Sequence, residues 1–574
     1  MKLNRYAALK LGVALAITLM VASVLPAYAA TNSPPAPITF QPIINLSNDS
    51  GASVIPVIAS VGSHVYVAWQ DSSNGRPQVY FMESPDNGTA GTWSGTTVFT
   101  GTLDAAAVQI DAWGPNVYLV WKQGSQTAFA SSNNYGVSFN SADPIIFSEP
   151  LGTITEPSLA TNGTAVYLAW QYHANNNNSK MAIFTVSYNH GASFNTPKCL
   201  GTATISHGKP VTKCSSASEI QIAAQGDHVY VVWDSIYVAA SANGGKTWAN
   251  PVQVSSAGRG REPMIAASGS YVYVSFPDNY GGSYQAWLAI SSNYGQSWTT
   301  KQVTTGFTSA REVQITACAS SNEQVPCGNT PDVYITFRGQ APGGGRVNQY
   351  MVTSYNNGVN FGTPVDVSNQ KQSELGFGGV SVNGTDVFLV WPHSDKSTGL
   401  VQMYAAASND SAKTWLGSTD GTQAVQVSDS SVGVVGMGDS NTMHDQGPLS
   451  SATAGHIFIV WEDDSTGNGD VYFAAGTITK AQPPSLQISA KDTTAFCSNH
   501  GATSFSVTVS NSTFTQTYGP VACGNVLTAT LYPLTHGSDY TITHTVGNFQ
   551  DTYDIVWQGT TANVSFDNRN IVVS

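Results

Sequence analysis

Five glutamates recur through the central part of the chain, each just before a short apolar segment that is predicted to be the innermost strand of a repeated unit. They are Glu156, Glu219, Glu262, Glu312 and Glu374. Arg261 and Arg311 directly precede two of them. Carboxylates that meet at one place can coordinate a cation, and carboxylates combined with arginines can hydrogen-bond a polyhydroxyl ligand. The alternative is structural, with each carboxylate accepting hydrogen bonds from backbone amides of a neighbouring element. The regular recurrence of the residue favours this second interpretation.

A second acidic group is a weaker indication of a cation site. Asp463, Asp464 and Asp470 lie within the segment WEDDSTGNGD, residues 461–470. Their spacing does not match a helix-flanked Ca²⁺ loop, so a solvated acidic turn is the favoured interpretation. The sequence therefore predicts no cofactor, and Ca²⁺ is the one ion for which it offers ligands.

The elements that must position these residues are strands, because one apolar pattern recurs eight times. The copies are VYVAW (65–69), VYLVW (117–121), VYLAW (166–170), VYVVW (229–233), VYVSF (272–276), VYITF (333–337), VFLVW (387–391) and IFIVW (457–461). Nearly every position is apolar, as in a strand buried on both faces. One strand is predicted before each copy and two after it, which makes a four-stranded antiparallel meander. Such units bury both faces when arranged radially, so the predicted fold is an all-β β-propeller.

A turn of the form Ser-x-Asn/Asp-x-Gly links the third and fourth predicted strands of seven units. The copies begin at Ser84, Ser132, Ser187, Ser241, Ser291, Ser354 and Ser408. Asn or Asp at the third position can accept hydrogen bonds from backbone amides of the turn. Glycine at the fifth position accepts a positive φ, and Ala412 replaces it in the last copy.

These turns resemble the Asp-box, or BNR, repeats of sialidase-like propellers, and the resemblance covers about residues 38–480. It implies that the turns lie on the outer rim, shape the blades and do no chemistry. Sialidases of the family use three arginines, a Tyr–Glu nucleophile and an Asp acid/base, and carry an Arg-Ile-Pro motif. This chain has eight arginines and no Arg-Ile-Pro. Catalytic residues therefore stay unassigned.

The order of patterns along the chain predicts three segments. Residues 1–30 combine early lysines and arginine, an apolar run and PAYAA, which is typical of a signal peptide. Residues 31–480 form the propeller, of eight blades, or seven if one unit is distorted. The segment 38–47 is predicted to close the ring by pairing with the last unit. Residues 481–574 alternate in polarity, which predicts an immunoglobulin- or fibronectin-like β-sandwich.

Composition and cysteines point to an exported protein. The net charge is −13 with only 22 Lys and Arg, which argues against a nucleic-acid partner. After the signal segment no stretch is long enough to span a bilayer. The cysteines are predicted to form three disulfides between sequence neighbours, Cys199 with Cys214, Cys318 with Cys327 and Cys497 with Cys523. The predicted location is extracellular, either secreted or associated with the cell surface.

These observations favour a binding protein over an enzyme. The predicted partner is an extracellular glycan or a surface protein, held at the axial face of the propeller. The alternative is a sialidase-type exo-glycoside hydrolase, in which Arg261, Arg311 and a third arginine would converge beside a Tyr–Glu pair. A structural surface component is the third interpretation. The fold alone does not choose among them, because propellers host unrelated functions.

Overall fold

The structure is a computed structural model, and it describes most of the chain. The described residues are 38–99, 101–139, 144–148, 152–174, 180–206, 209–214, 217–255, 260–317, 332–343, 347–368, 378–394, 401–415, 424–428, 449–463, 469–478, 486–512, 515–531, 539–556, 562–567 and 570–573. The chain forms two compact units, Met1–Thr479 and Lys480–Ser574. The predicted signal segment, residues 1–30, and the pair Cys318 and Cys327 lie outside the described residues.

The described strands of unit 1 pair in eight larger sheets, given below in chain order, and in one separate hairpin. The N-terminal strands are β1 (Ile38–Phe40) and β2 (Ile44–Asn45). Sheet 1 comprises β3 (Ser53–Val61), β4 (His64–Asp71), β5 (Gln78–Ser84) and β6 (Ser94–Phe99). Sheet 2 comprises β7 (Ala105–Trp113), β8 (Asn116–Gln123), β9 (Gln126–Ser132) and β10 (Ile145–Phe147). Sheet 3 comprises β11 (Gly152–Asn162), β12 (Ala165–Ala174), β13 (Lys180–Ser187) and β14 (Lys198–Cys199). A separate hairpin, β15 (Gly201–Ser206) and β16 (Lys209–Cys214), follows sheet 3.

The second half of unit 1 repeats this order. Sheet 4 comprises β17 (Gln221–Gln225), β18 (His228–Trp233), β19 (Tyr237–Ser241) and β20 (Val252–Gln253). Sheet 5 comprises β21 (Met264–Ser268), β22 (Tyr271–Asp278), β23 (Gln285–Ser291) and β24 (Thr299–Gln302). Sheet 6 comprises β25 (Ser309–Ala317), β26 (Val333–Gln340), β27 (Asn348–Ser354) and β28 (Val365–Asp366). Sheet 7 comprises β29 (Gly379–Asn383), β30 (Asp386–Ser394), β31 (Val401–Ser408) and β32 (Val425–Gln426). Sheet 8 comprises β33 (Ser450–Thr453), β34 (His456–Asp463) and β35 (Asp470–Ile478), joined by β1 and β2.

The sheets are arranged as a β-propeller, because their first strands contact one another in a closed cycle. Each first strand touches the first strand of the next sheet, from β3 through β7, β11, β17, β21, β25 and β29 to β33. Strand β33 in turn contacts β3. Within sheets 1 to 7 the strands pair antiparallel in chain order, which is the predicted meander.

Successive side chains of the second strands point into two different cores, which explains why the sequence of these strands is apolar throughout. In β4, Tyr66 and Ala68 enter a core shared with sheet 2. The intervening Val67 and Trp69 enter a different core, shared with sheet 8. Since both faces of the strand are covered by neighbouring sheets, neither face tolerates polar side chains. The fully buried tryptophans of six such strands, Trp69, Trp121, Trp170, Trp233, Trp391 and Trp461, mark the same position around the ring.

The N-terminal segment closes the ring, as predicted. Strand β1 pairs antiparallel with β35 through Ile38 and Ile478, and β2 continues through Ile44 and Phe473. The first and last parts of unit 1 therefore share one sheet. The outer edge of β35 is covered by this pairing, which removes an exposed sheet edge.

The repeated turns are rigid and pack between sheets. In sheet 2 the amide of Gly136 donates to Ser132 Oγ at 3.0 Å, and the amide of Ser138 donates to Asn134 Oδ1 at 3.0 Å. The same pair of bonds recurs in sheets 3 to 7. A side chain added at Gly136 would meet Phe81 of the preceding sheet. Each serine and Asn or Asp is thus engaged within its own turn.

Unit 2 contains two four-stranded sheets around one core. Its strands are β36 (Leu486–Lys491), β37 (Ser504–Ser510), β38 (Thr515–Ala522), β39 (Val526–Leu531), β40 (Asp539–Val546), β41 (Phe549–Val556), β42 (Ala562–Asp567) and β43 (Asn570–Val573), with a short helix α1 (Thr494–Asn499). The sheets are ordered β39-β36-β42-β43 and β38-β37-β40-β41. Side chains from both, including Ile488 and Ile542, form the core. The Cys497–Cys523 disulfide is present here, and Cys199–Cys214 in unit 1, which confirms two of the three predicted pairs.

Candidate functional site

Three of the candidate glutamates lie in or next to the first part of a first strand, and there the backbone takes an unusual conformation. Glu219, Glu262 and Glu312 have φ values of 54°, 52° and 54°. Ile55 and Ala107 hold the matching positions in sheets 1 and 2, with φ values of 55° and 48°. Pairing with the second strand shifts register at this point in sheets 1, 2, 3 and 6, so the residue is a β-bulge. A positive φ is strained for these residue types, and a bulge re-aims the side chain.

The bulges also correct the predicted positions of two glutamates. Glu156 and Glu312 were predicted just before their first strands, but both lie inside β11 and β25. Each strand continues on both sides of the bulge, so the pairing begins earlier than the sequence pattern suggested. Of Glu156 only the backbone is described, and Glu374 lies outside the described residues.

Glu219 makes the contact that the structural interpretation requires. Its Oε2 accepts a hydrogen bond of 2.8 Å from the backbone amide of Glu262 in the next sheet. Sheets 8 and 1 are linked in a similar way, because Glu462 Oε2 accepts a 3.3 Å bond from the amide of Ile55. In both places a carboxylate of one sheet accepts a hydrogen bond from the residue with positive φ in the next sheet.

Glu312 instead forms an ion pair inside its own sheet. Its Oε1 lies 2.8 Å from Arg338 Nη1, and Glu312 is only 7% exposed. Arg338 follows the apolar run of β26 and pairs in register with Arg311. Arg338 was not among the predicted site residues. The sequence feature that could have indicated Arg338 is its position as a single arginine directly after an otherwise apolar second strand.

Arg311 and a tyrosine of the neighbouring sheet form a second feature at this end. The Arg311 guanidinium carbon lies 4.0 Å from the centre of the Tyr284 ring, a cation–π contact. Next to this contact the backbones of sheets 5 and 6 are hydrogen-bonded, because the Ala310 amide donates to Tyr284 O at 2.8 Å. Tyr280, in the same loop between β22 and β23, is 56% exposed.

Arg261 lies on the other side of that loop. Its backbone amide donates to Pro277 O at 3.3 Å, and its side chain is exposed. We refer to the set Arg261, Tyr280, Tyr284, Arg311, Glu312 and Arg338 as the mouth cluster. It combines exposed cations, exposed aromatic surface and one neutralised carboxylate on sheets 5 and 6.

A channel of about 430 Å³ runs between the first strands of the eight sheets. Gln109, Gln221 and Gln314 line it at equivalent positions, each opposite the fourth residue of the second strand's apolar run. Asp111 is the charged side chain among the lining residues. Its Oδ2 accepts 3.0 Å bonds from the amide and hydroxyl of Thr161 in sheet 3. The channel therefore offers amide and hydroxyl groups rather than a charged site.

Two of the three proposed acidic cation ligands are described by the structure. Asp463 and Asp470 are both buried and face each other across β34 and β35. Asp470 Oδ1 accepts a 3.1 Å bond from Ser47 Oγ, which helps to hold the N-terminal segment. Asp464 lies outside the described residues. No group of three or more His, Cys, Asp or Glu side chains that could hold a metal occurs among the residues described.

Comparisons with known proteins give structural matches, three distant ones among them. No protein-family model matches the chain, and no curated protein matches it. A phage phi92 endosialidase is similar with a TM-score of 0.35 and 11% identity, over 76% of each chain. A PL25 ulvan lyase has a TM-score of 0.38 and 11% identity, over 75% of this chain and 95% of its own. A Trypanosoma rangeli sialidase has a TM-score of 0.33 and 10% identity, over 91% and 90%.

These matches are loose, so the fold assignment rests on the strand pairing and the closed cycle of contacts described above. Across the described residues, no helix is long and apolar enough to span a membrane.

Proposed function

We propose that this chain is an exported glycan-binding protein that holds a polyhydroxyl ligand at the mouth cluster. The observation that carries the proposal is the stacking of Arg311 on Tyr284 beside the Arg338–Glu312 ion pair. It places oriented hydrogen-bond donors next to aromatic surface at the end of the propeller where the first strands begin. A surface protein is the other partner class that the sequence left open.

The chemistry of the cluster suits a sugar. Guanidinium groups donate several hydrogen bonds in a fixed plane, which matches pairs of hydroxyl or carboxylate oxygens. Tyrosine rings offer flat apolar surface for the C–H face of a sugar ring. The stack on Tyr284 holds Arg311 in place, so little conformational freedom is lost on binding.

The blade number, the turn type, the class of unit 2, export and the domain limits are inferred from the sequence patterns. The eight sheets are interpreted as eight blades, the repeated turns as Asp-boxes, and unit 2 as an immunoglobulin- or fibronectin-like sandwich. The two disulfides support export, because disulfides persist mainly in oxidising compartments. The predicted domain limits are 31–480 and 481–574, and the mature chain is placed outside the cell. Ca²⁺ is included as a variable in the test and is not assigned a site.

The test is a glycan array probed with the full mature chain, with and without Ca²⁺, beside a fluorogenic sialoside assay. We expect selective glycan binding that Arg311→Ala weakens at least about tenfold, the effect of losing a charged hydrogen bond of about 1.5–3 kcal/mol. The matched control is Arg76→Ala, an exposed arginine of sheet 1, which should bind normally. Absence of glycan binding, or equal binding by the Arg311 variant, would refute the proposal.

The same experiment separates the other interpretations. Sialoside turnover that Arg261→Ala abolishes would establish the hydrolase alternative. Neither binding nor turnover would leave a surface-protein partner or a structural surface component as the remaining interpretations.

A further inference from the structure

A second surface, at the opposite end of the sheets from the mouth cluster, presents repeated tyrosines. Twelve large hydrophobic side chains of the described residues are strongly exposed, and six of these belong to the repeated turns. Four of the six are Tyr135, Tyr188, Tyr294 and Tyr355, each about two-fifths exposed. We call this surface, defined by these four residues, the turn face.

The position of the turns separates this face from the mouth. The amide of Tyr135 donates to Pro115 O at 2.8 Å, and that of Tyr294 donates to Ser270 O at 2.9 Å. Both acceptors lie in the loop between the first and second strands of their sheets. That loop is at the far end of the first strand from the bulge, so the turn face and the mouth cluster are different sites.

The tyrosines are held rigidly, in two arrangements that each occur twice. Tyr135 stacks on His64 with ring centres 4.2 Å apart, and Tyr294 stacks on His228 at 4.0 Å. Each of these rings has one covered face and lies on a seam with the preceding sheet.

The other two tyrosines reach toward the following sheet. The hydroxyl of Tyr188 donates to Gly244 O at 2.7 Å, and that of Tyr355 donates to Ser411 O at 3.0 Å. Lys246 and Lys413 lie over these two rings, both at 5.4 Å from the centre. The four rings are therefore fixed in the turns of sheets 2, 3, 5 and 6, whereas the turn of sheet 4 has no tyrosine.

Charge limits the class of ligand that this face can take. The lysines over two rings are balanced by Asp227 close to Tyr188 and by Asp332 and Asp410 close to Tyr355. Lys198 and Lys301 also donate to backbone carbonyls of the turns, and Asp86 lies in the first turn, so four lysines are matched by four aspartates. Because these charges balance, the face does not attract a polyanion. Fixed aromatic rings among Ser, Asn and Thr side chains of the turns suit uncharged sugar rings, which need apolar contact and hydrogen bonds.

We propose that the turn face binds a neutral polysaccharide, with the tyrosines of the turns in sheets 2, 3, 5 and 6 stacking against sugar rings of one chain. Several weak contacts at fixed spacing on one polymer add up through effective concentration. The inference does not depend on the mouth cluster.

The test is affinity electrophoresis of the full mature chain in native gels containing glucomannan, hydroxyethyl cellulose or laminarin, with alginate as the polyanion. The variants replace tyrosines by residues that occur at the same position of other turns. Tyr135→Asn and Tyr294→Asn follow Asn87 and Asn357, while Tyr188→Ser and Tyr355→Ser both follow Ser292. Because those turns fold with the smaller residues, the variants should fold, and melting curves check this.

We expect at least one neutral polysaccharide to retard the wild type. Each double variant should weaken binding about tenfold, and the quadruple variant should migrate as in a gel without polysaccharide. Tyr135→Trp with Tyr294→Trp should restore retention, which a merely structural role would not predict. The control Val252→Ser with Val365→Ser, exposed on outer strands, should be retarded normally.

Arg311→Ala should also be retarded normally, so failure of the mouth proposal is distinguishable from failure of this one. Retardation by none of the neutral polymers, by alginate alone, or equally for the quadruple variant would overturn the inference.

Discussion

At the scale of single residues, Glu312 is the most constrained group of the mouth cluster. Its side chain is 9% exposed and its ion-pair partner Arg338 is 28% exposed. A carboxylate that is largely removed from water is costly unless it is paired. The pair therefore has a structural role in addition to the role proposed for it in ligand binding.

Removing Arg338 should destabilise unit 1. We expect Arg338→Ala to lower the free energy of unfolding by about 1–3 kcal/mol, because Glu312 is left buried without its cation. Urea unfolding followed by tryptophan fluorescence measures this. Arg261→Ala, at an exposed side chain, should stay within about 0.5 kcal/mol of the wild type. Equal effects of the two substitutions would show that the ion pair contributes nothing to stability.

Asp410 makes one turn sensitive to acid. Burial acts to raise the pKa of its carboxyl group, but hydrogen bonds from Thr414 and Ser408 outweigh it, and the net pKa is lowered from 3.8. The pKa of the Asp410 carboxyl group is therefore lower in the folded state than in the unfolded state. Its ionised form stabilises the fold at pH values above the unfolded-state pKa. That stability is lost as the pH falls through the lower folded value.

Asp410→Asn should therefore flatten the acid dependence of stability. Asn243 makes the equivalent bonds in sheet 4, with Thr247 N and Thr247 Oγ1 at 2.9 and 2.8 Å, so the turn should be retained. We expect melting temperatures close to wild type at about pH 7 and a smaller fall than wild type at about pH 3. An unchanged fall would exclude Asp410 as a contributor.

At the scale of elements, the repeated turn links each sheet to the one before it. Gly136 has a φ of 83°, and a Cβ there would lie 2.5 Å from Phe81 Cζ. Both the backbone conformation and the packing therefore require glycine.

A pair of glycine substitutions separates these two requirements. Gly114 also has a positive φ, 54°, but a Cβ there would meet nothing within 4 Å. Gly114→Ala should cost about 1–2 kcal/mol for the left-handed backbone alone. Gly136→Ala should cost at least about 1 kcal/mol more, because Phe81 must move. Chemical denaturation of both variants measures the difference, and equal losses would argue against packing between the sheets.

The strands and turns were predictable because they follow from local patterns. An apolar run such as VYVAW can be satisfied only where both faces of a strand are covered, and the turn glycines specify a positive φ. The bulge at Glu312 was not predictable, because a glutamate with φ of 54° is stabilised by tertiary contacts and not by local preference. For the same reason the pairing of Arg338 with Glu312 and the stacking of Arg311 on Tyr284 appear only in three dimensions.

At the scale of the whole of unit 1, the propeller depends on its first segment. Ile38 and Leu46 are 5% and 7% exposed, and both pack into cores of sheet 8. A side chain at Gly88 in sheet 1 would collide with Phe473 in sheet 8, so the seam is tightly packed as well as hydrogen-bonded. Burial of two aliphatic side chains alone contributes about 3–6 kcal/mol.

The most direct test of the closed ring is hydrogen exchange of the mature chain with and without residues 38–47. The account predicts that the deletion speeds exchange in β35 about tenfold or more, because β35 loses its paired strands β1 and β2. The change should extend to sheet 1, because Leu46 packs in the core shared by sheets 8 and 1. Deletion of the outer residues 250–253 at strand β20 should affect only its own sheet. Unchanged exchange in β35 and sheet 1 after removal of 38–47 would contradict closure of the seam by this segment.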